Sequence, residues 1–553
     1  LWCLSFEGRT CAGAERFSRK DGLPSDFVRS LAADDSGRLW AGTYGGLCIL
    51  EDGAFNPVFS DNFREGALSQ NSVRSICRDN QGGMWLGTYY GGVNYWHPLR
   101  NHFHALRRQP YPNSLNDNVV NCMAEDSRGR VWIGTNTGGV NCWDSSRGTF
   151  RHYPMRSSGA NAPGSDDVKA IWVDDAAGKV YVGAHAGGLS CIGIDSGLVT
   201  TFASENRSGG ARPLDVYSII PVPNSSLLLL GTLDGVRLFD RKTGRVSVPE
   251  FSDEAKSSAM NSARAMLLDS EGRLWAGGGN GLSVYTFSDG RLSLCPDIEV
   301  PSGLYVHSFL EFPGNSVYVG TREGLLCFSL SGGELTRYTA PDALPSNIVD
   351  ALEADDYGMV WVSTDRGLCR INPYTASSRS FSVEDGLSCS QFNPNSSLRR
   401  RDGEILFGGV DGITFFSPEL FSENPYSPPP VLTDFRLSGK YASERVSLTG
   451  NEIVLSHDRN SFSISFSVPN YLSSHHDTFA YILDGHDNDW TYTDSGRTAS
   501  WSNLPHGEYV FMLKSANNDG KWCESPAMLR INVRPVWYRT VPALILFGIL
   551  AAL

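Results

Sequence analysis

A short phrase recurs nine times within the first 416 residues of the chain. Each copy starts with an apolar pair that often includes Trp, continues through Gly-Thr or a close variant, and turns at a Gly into a second apolar run. Examples are VWIGTNTGGVNCW at 131–143 and VYVGTREGLLCF at 317–328. The anchor residues are Gly42, Gly87, Gly134, Gly183, Gly231, Gly277, Gly320, Ser363 and Gly408. Their spacing of 43 to 49 residues is typical of one supersecondary unit used repeatedly.

The copy that starts at residue 119 shows what one unit contains. It divides into four short apolar segments separated by turns: VVNCMAED, RVWIGT, VNCWD and TFRHYP. Alternating apolar residues and Gly-containing turns predict four antiparallel strands, and four strands in about 45 residues are typical of a propeller blade. β-Helices and leucine-rich solenoids have much shorter periods. The GGGNG stretch at 277–281 is interpreted as a blade turn and not as a phosphate loop, because no helix follows it.

The constant residues of the phrase have structural interpretations. An Asp can bond the backbone amides of the turn before the second strand, and its partner Gly tolerates a left-handed conformation there. These Asp-x-x-Gly pairs are Asp34/Gly37, Asp79/Gly82, Asp126/Gly129, Asp175/Gly178, Asp269/Gly272 and Asp355/Gly358. We expect the anchor Gly to lie where a neighbouring blade leaves no room for a Cβ atom. The repeated Trp residues (Trp40, Trp85, Trp132, Trp275 and Trp361) are predicted to pack blade against blade.

Nine copies exceed the usual propeller, which has up to about eight blades. We therefore expect one propeller of about seven blades at 101–422 and remnant blades of another at 1–100. The chain starts without Met and shows no complete signal peptide, so it is interpreted as a piece of a longer protein. A rival interpretation makes residues 1–14 the stub of a signal peptide and starts the first blade just after them.

Composition excludes several functions. The formal net charge is −13, and the largest basic run is Arg-Arg-Arg at 399–401, so no nucleic-acid partner is expected. Twelve Cys are present, but neither a C-x-x-C pair nor a His/Cys ligand spacing occurs, so neither a metal nor another cofactor is predicted. Five Cys recur in the third strand of their copies and are interpreted as small buried apolar residues. These are Cys48, Cys142, Cys191, Cys327 and Cys369.

The composition changes after the last copy. Residues 423–432 form a Pro-rich linker, and 433–535 contain short alternating segments that predict an immunoglobulin-like β-sandwich. Residues 541–553 carry no charge and follow Trp537 and Tyr538, an aromatic pair typical of a membrane interface. Because a span needs about 20 apolar residues, we expect these thirteen to be the truncated start of a transmembrane helix.

The repeats and the region after them resemble a known family. The repeated phrase resembles the two-component regulator propeller repeat, and the region after it resembles the three-Tyr-motif domain that follows those propellers. The matching segments are FAYILDGHDNDWTYT, LPHGEY, SANNDGKW and the exit RPVWYRT. The matching residues are Phe479, Tyr481, Gly485, Trp490, Leu504, Pro505, Gly507, Tyr509, Asn518, Gly520 and Trp522. The order of these parts is that of hybrid two-component sensors of gut Bacteroidetes.

The resemblance implies a periplasmic sensor anchored in the inner membrane. Such sensors commonly respond to oligosaccharides from glycans and control polysaccharide-utilisation genes. A cytoplasmic histidine kinase, a receiver and a DNA-binding output would follow the membrane helix, so no kinase activity is expected of these 553 residues. A homodimer through the β-sandwich is the simplest geometry for signalling by a chain with one membrane pass.

We predict the ligand site on the rim that carries the residues after Gly-Thr. These residues vary while the flanking phrase does not, as expected of adjustable turns on a rigid scaffold. The predicted ligand-binding residues are Tyr89, Tyr90, Asn136, His185, Arg322 and Arg366, and the same rim also carries Tyr44, Asp234, Asn280 and Asp365. Aromatic rings beside polar groups suit a sugar. Two adjacent exposed aromatic residues make Tyr89–Tyr90 the favoured pair. Ordinary solvated turns are the alternative for any single residue.

Three other functions are compatible with a propeller. A carbohydrate-active enzyme would need paired carboxylates, whereas most acidic residues here lie in the Asp-x-x-Gly turns on the opposite rim. A protein-interaction scaffold would not need the predicted membrane helix. A propeller sensor could also be joined to a cyclase or a DNA-binding regulator instead of a kinase.

Overall fold

The structure of the chain is a computed structural model, and it contains two compact units. One comprises residues 1–100 and 422–553, and the other comprises 101–421. The described residues are 1–61, 66–100, 103–154, 164–202, 214–252, 262–288, 290–295, 298–330, 335–421, 424–438, 444–448, 450–472, 477–493, 496–536, 538 and 541–553.

The second unit is built from seven antiparallel sheets of the kind expected for propeller blades. Blade 1 contains Val120–Glu125, Val131–Thr135, Val140–Asp144 and Thr149–Tyr153, and blade 2 contains Val168–Asp174, Lys179–Ala184, Gly188–Gly193 and Val199–Phe202. Blade 3 contains Val216–Pro221, Leu227–Thr232, Gly235–Asp240 and Arg245–Ser247. Blade 4 contains Ala265–Leu268, Arg273–Gly278, Gly281–Ser288 and Arg291–Leu294, with Glu250–Phe251 added in parallel at its outer edge.

Blades 5 to 7 complete the second unit. Blade 5 contains Val306–Phe312, Ser316–Thr321, Gly324–Ser329 and Leu335–Tyr338, and blade 6 contains Val349–Ala354, Val360–Thr364, Gly367–Ile371 and Ser378–Phe381. Blade 7 contains Phe392–Arg399, Ile405–Gly409, Gly412–Phe416 and His104–Leu106. Short 3-10 helices occupy Val383–Asp385 and Pro418–Leu420.

The seven blades close into a ring. The first strand of each blade contacts the first strand of the next, and the first strand of blade 7 contacts that of blade 1. Backbone hydrogen bonds also close the ring, because His104–Leu106, from the start of the unit, pairs with Gly412–Phe416 at its end. Blade 7 therefore combines strands from both ends of the unit in one sheet, and the ring has no open gap between its first and last blades.

Packing between blades explains the anchor Gly and Trp residues. A Cβ atom on Gly134 would lie 2.5 Å from Val168 Cγ1 of blade 2, so the close approach of two blades requires Gly there. Trp132 is fully buried and packs with residues of the next blade, including Val180 and Val182. Both predictions for these positions are confirmed.

The Asp-x-x-Gly turns bond the Trp as well as the backbone. The Asp126 carboxylate accepts hydrogen bonds from the backbone amides of Arg128 and Arg130 and from Trp132 Nε1, at 2.9 to 3.1 Å. The same Asp–Trp hydrogen bond joins Asp34 to Trp40, Asp79 to Trp85, Asp269 to Trp275 and Asp355 to Trp361. Asp175 differs, because its carboxylate accepts from Ser127 of the preceding blade.

The first unit starts with a hairpin, which is followed by two further sheets of the same repeat. A hairpin of Trp2–Glu7 and Thr10–Arg16 comes first, and a short 3-10 helix follows at Arg19–Asp21. A four-stranded sheet then contains Val28–Ala33, Leu39–Thr43, Leu47–Glu51 and Ala54–Val58, and a three-stranded sheet contains Val73–Arg78, Met84–Thr88 and Val93–Trp96. Trp40 packs between these two sheets with Val73 and Met84.

The β-sandwich of the first unit consists of two sheets around one apolar core. One sheet contains Val431–Leu437, Phe462–Ser467 and Thr498–Trp501, and the other contains Glu452–Leu455, Thr478–Asp484, Thr491–Thr493, Gly507–Ala516 and Ala527–Val533. Phe435, Phe462 and Phe511 are fully buried between them. Tyr509 donates its hydroxyl hydrogen to the carbonyl of Pro505 at 2.9 Å, the tyrosine-corner bond of immunoglobulin-like sandwiches. The predicted all-β fold of propeller blades followed by a sandwich is confirmed.

The last element is the helix Val541–Ala552, in which residues 545–550 are all exposed. Among the described residues, no helix has both the length and the apolar character that a membrane span requires. Tyr538 is exposed, and Trp537 lies outside the described residues. All twelve Cys side chains are free thiols, and the five repeated ones lie in the third strands of their sheets, as predicted.

Candidate ligand-binding site at the mouth of the ring

One rim of the ring is built by a repeated backbone hydrogen bond. The residue after Gly-Thr donates its amide to the carbonyl of the residue just before the first strand of the same blade. In the ring this bond joins Asn136 to Val119, His185 to Asp167 and Arg322 to Tyr305, at 2.9 to 3.1 Å. The two turns are thereby fixed side by side, as the sequence predicted for this rim.

A β-bulge recurs near the start of the first strand in five of the seven blades. In blades 1, 2, 3, 5 and 6 the pairing of the first strand with the second shifts at its second residue, for example between Val168 and Ala170. Such a bulge leaves the extra residue unpaired and re-aims its side chain. In these five blades the second residue of the first strand is Asn121, Lys169, Tyr217, His307 and Asp350, in that order. Asn393 is the second residue of the first strand in blade 7, and Arg264 lies just before the first strand of blade 4.

Six of these seven side chains line one cavity of about 240 Å³ at the mouth of the central channel. The complete lining is Asn121, Lys169, Tyr217, Arg264, Tyr305, Val306, His307, Arg322, Asn393, Pro394 and Asn395. A second cavity of about 230 Å³ shares Lys169, Tyr217 and Asn395 with the first and extends between the innermost strands. The mouth therefore leads into a channel, and it combines aromatic, amide and cationic groups as a small-ligand site does.

Blade 5 supplies the most tightly organised part of the mouth. The Arg322 guanidinium lies 3.8 Å from the centroid of the Tyr305 ring, and its Nε donates to His307 Nε2 at 3.4 Å. His307 Nδ1 lies 3.1 Å from Asp350 Oδ1. Burial raises the pKa of Asp350, although the bond from His307 acts in the opposite direction. These contacts hold the Tyr305 and Arg322 side chains in fixed positions at the cavity.

Arg264 connects blades 3 and 5 across the mouth. Its guanidinium lies 5.2 Å from the centroid of the Tyr217 ring, and its Nη1 donates to the Tyr305 hydroxyl at 3.0 Å. Its Nε is buried and has no hydrogen-bond partner among the described residues. Two aromatic rings and one guanidinium are thus arranged around the same space.

Blades 1 and 2 contribute a polar side of the mouth. Lys169 Nζ lies 2.7 Å from Asp167 Oδ1 and 3.3 Å from Asn136 Oδ1. His185 Nδ1 lies 2.7 Å from Asp215 Oδ1 and 3.3 Å from the Tyr217 hydroxyl. Asn136 and His185 therefore contact lining residues and lie one layer outside the cavity.

The predicted site residues are distributed over several places. Arg322 lines the cavity, whereas Arg366 is an exposed residue of blade 6 that does not line it. Tyr89 and Tyr90 belong to the first unit, where they are 57% and 79% exposed and form an edge-to-face pair with centroids 5.3 Å apart. The Arg74 guanidinium, at the bulge position of its sheet, lies 4.4 Å from the Tyr89 ring centroid.

The sequence analysis missed the bulge residues, although a signal was present. Each first strand contains a residue between an apolar residue and, in most copies, a small one, as in Val168-Lys169-Ala170. That middle residue changes chemistry from copy to copy while its neighbours do not. An alternation pattern does not reveal bulges, so a variable position within a predicted strand gives no indication that its side chain reaches a site.

The described residues contain no group of three or more His, Cys, Asp or Glu side chains arranged to hold a metal ion. The arrangement at the mouth can instead bind a polar organic molecule. Tyr217 and Tyr305 offer apolar faces, and Asn121, Asn393 and the cationic groups offer hydrogen bonds around them.

Comparison with protein families identifies both parts of the chain. The two component regulator propeller model matches residues 22–45, 67–90 and 114–137, and the Y_Y_Y domain model matches 470–534. The chain thus contains two component regulator propeller repeats followed by a Y_Y_Y domain, as the resemblance predicted.

One curated protein and two solved structures are similar to the chain. Histidine kinase P4 of Formosa agariphila is 28% identical over 348 residues, which are 59% of this chain and 25% of the relative. The extracellular domain of the hybrid two component system BT3049 from B. thetaiotaomicron has the same fold, with a TM-score of 0.72 and 24% identity over 94% of this chain and 74% of that one. The extracellular domain of BT4673, described as a one component system of the same organism, aligns with a TM-score of 0.47 and 20% identity over 92% and 68% of the two chains. The chain spans about a quarter of the length of the curated relative that it matches.

Proposed function

We propose that the chain is the extracytoplasmic ligand-sensing region of a hybrid two-component sensor histidine kinase. In this proposal the mouth of the seven-bladed ring binds an oligosaccharide derived from a glycan. Binding signals through the β-sandwich to the inner membrane and controls polysaccharide-utilisation genes.

The observation that carries the proposal is the composition of the mouth. Tyr217 and Tyr305 line a cavity that also contains three amide side chains and three cationic ones. A sugar ring has an apolar face that stacks on an aromatic ring and hydroxyl groups that bond amides and cations. The cavity at the mouth has a volume of only about 240 Å³, so a ligand would insert one sugar unit and extend the rest over the rim.

The relatives supply the wider setting of this proposal. One is named a histidine kinase, and another is an extracellular domain of a hybrid two-component system. We place this chain in the periplasm, with its C-terminal helix Val541–Ala552 as part of a membrane anchor. A homodimer formed through the β-sandwich would transmit the signal, because a ligand can shift the equilibrium between two arrangements only by binding one of them more tightly.

Calorimetric titration of the chain with oligosaccharides from plant, algal and host glycans tests the binding site. We expect Tyr305→Ala to weaken the binding of an active oligosaccharide at least about tenfold, since stacking on the ring and the position of Arg322 are lost together. The matched control is Tyr374→Ala, which removes a 76% exposed Tyr in the turn between the third and fourth strands of blade 6 and should leave the affinity unchanged.

Tyr89 and Tyr90 remain a predicted site in the first unit, and they are the alternative to the ring mouth as the place where the ligand binds. If replacing both with Ala abolishes binding while Tyr305→Ala does not change it, the ring mouth is the wrong site. If no oligosaccharide binds the chain, the sensing proposal itself fails.

A further inference from the structure

The charge of the cavity lining differs from that of the chain. The whole chain carries a formal net charge of −13. The lining of the mouth contains Lys169, Arg264 and Arg322 and no Asp or Glu. A basic cavity in an acidic chain concentrates positive potential where a ligand enters, because low-dielectric walls focus the field.

Arg264 has unused capacity to bind an anion. Its Nη1 is occupied by the Tyr305 hydroxyl, while its Nε is buried without a hydrogen-bond partner among the described residues. The described residues also place no carboxylate within ion-pair distance of its guanidinium. A guanidinium offers five N–H donors in a fork that matches the oxygens of a carboxylate or a sulfate.

Arg322 also has capacity to bind an anion. Its Nε donates to His307 and its plane lies against Tyr305, but within the described part of the chain it forms no ion pair. Stacking on an aromatic ring leaves the edge of a guanidinium free for hydrogen bonds in the plane. Tyr305 contacts both guanidinium groups and so holds them on one side of the mouth.

The neighbouring carboxylates make their closest contacts with other groups of the mouth. Asp167 is bonded to Lys169 at 2.7 Å and leaves the two Arg side chains unpaired. Asp350 Oδ1 lies 3.1 Å from His307 Nδ1 and forms no ion pair with either Arg. Arg264 and Arg322 are therefore the two cationic lining groups that form no ion pair among the described residues.

We propose that the ligand of the ring mouth is an acidic oligosaccharide whose carboxylate or sulfate group binds between Arg264 and Arg322. This inference rests on the proposed function and adds the chemical class of the ligand. The two Tyr rings would hold the sugar, and the two guanidinium groups would select its anionic substituent.

Paired probes test the inference by calorimetry on the full chain. One pair is an oligogalacturonate and its methyl ester, and the other is a sulfated galactan oligosaccharide and its desulfated form. We expect the acidic member of a pair to bind at least about tenfold more tightly than its neutral counterpart, and to weaken as salt is raised. A difference within the galacturonate pair indicates that the site binds a carboxylate, and a difference within the galactan pair indicates that it binds a sulfate.

Variants connect the difference to the two Arg residues. Arg264→Gln and Arg322→Gln should each reduce the affinity for the acidic probe at least about tenfold, while Arg264→Lys, which keeps the charge, should lose less. Arg245→Gln changes an exposed Arg on the outer strand of blade 3 and serves as the charge-matched control. Circular dichroism and thermal melting establish that each variant is folded.

The outcomes separate this inference from the proposed function. Equal binding of neutral and acidic probes, or Arg264→Gln and Arg322→Gln variants that bind the acidic probe as wild type does, would overturn the acidic-ligand inference and leave oligosaccharide sensing intact. Binding of no probe of either class would overturn both.

Discussion

At the scale of single residues, the repeated phrase encodes a buried hydrogen-bonding unit. Asp126 accepts from Trp132 Nε1, from two backbone amides and from the guanidinium of Arg130. Burial by itself would raise the pKa of Asp126, but these hydrogen bonds and the Arg130 charge outweigh it and hold the pKa below its ordinary value of 3.8. The carboxylate thus fixes the turn and the indole that packs against the next blade.

The first prediction concerns Asp126. Because Asp126→Ala leaves Trp132 Nε1 and two amides without their acceptor, we expect a loss of about 2–4 kcal/mol in the free energy of unfolding. Urea denaturation measures the loss. Since the pKa is lowered on folding, the stabilisation is present above pH 3.8 and is lost as the pH falls through the folded-state pKa, so the variant and the wild type should converge in acid.

A second Asp provides the comparison for Asp126. Asp195 pairs with Arg128 at 2.9 Å, but both side chains are exposed. Asp195→Ala should therefore cost less than about 1 kcal/mol. Similar losses for the two variants would show that burial of the carboxylate is unimportant.

At the scale of elements, the ring depends on one short strand. His104–Leu106 forms the outer edge of blade 7, and Phe103 just before it is buried. The Phe103 ring lies 5.0 to 5.2 Å from the rings of Phe381, Phe416 and Phe421. Blades 6 and 7 are thereby joined to the first residues of the unit.

The second prediction is that Phe103→Ala loosens the closure. Loss of a buried aromatic side chain should lower the free energy of unfolding by about 3 kcal/mol and make the chain near residue 103 sensitive to protease. Phe202→Ala is the matched control, because Phe202 is only partly buried on the outer strand of blade 2 and packs with residues of blades 2 and 3, away from the closing strand. Limited proteolysis and urea denaturation measure both variants; equal sensitivity would contradict the role of Phe103.

At the scale of the whole ring, closure creates a channel that no single blade contains. Glu353, on the innermost strand of blade 6, lines this channel. Burial raises the pKa of Glu353 to about 7, despite a hydrogen bond from Ser397 and the charge of Arg399. The ring therefore has an acidic group that changes its charge near neutral pH.

The third prediction is a pH dependence of stability. Because the pKa of Glu353 is higher in the folded state, the folded protein favours the protonated carboxyl. The stability that protonation contributes is fully present below about pH 4.5 and is lost as the pH rises through about 7. Glu353→Gln should be as stable as wild type near the lower limit and more stable at pH values above about 7, by at most about 3 kcal/mol. Thermal unfolding across this range measures the difference. A constant difference between the two proteins would place the Glu353 pKa at its ordinary value.

Sequence alone determined the repeat, the four-stranded unit, the roles of Trp132 and Gly134 and the sandwich, because each depends on local alternation, turn chemistry or a period that any single copy displays. It also identified the rim and placed Arg322 on it. Only the tertiary structure decided which side chains meet. Successive residues in the series Lys169, Tyr217, Arg264 and His307 are 43 to 48 residues apart in the chain. They share one cavity because ring closure brings the starts of the innermost strands together. A periodic pattern encodes the blade, whereas the site arises from the closed ring.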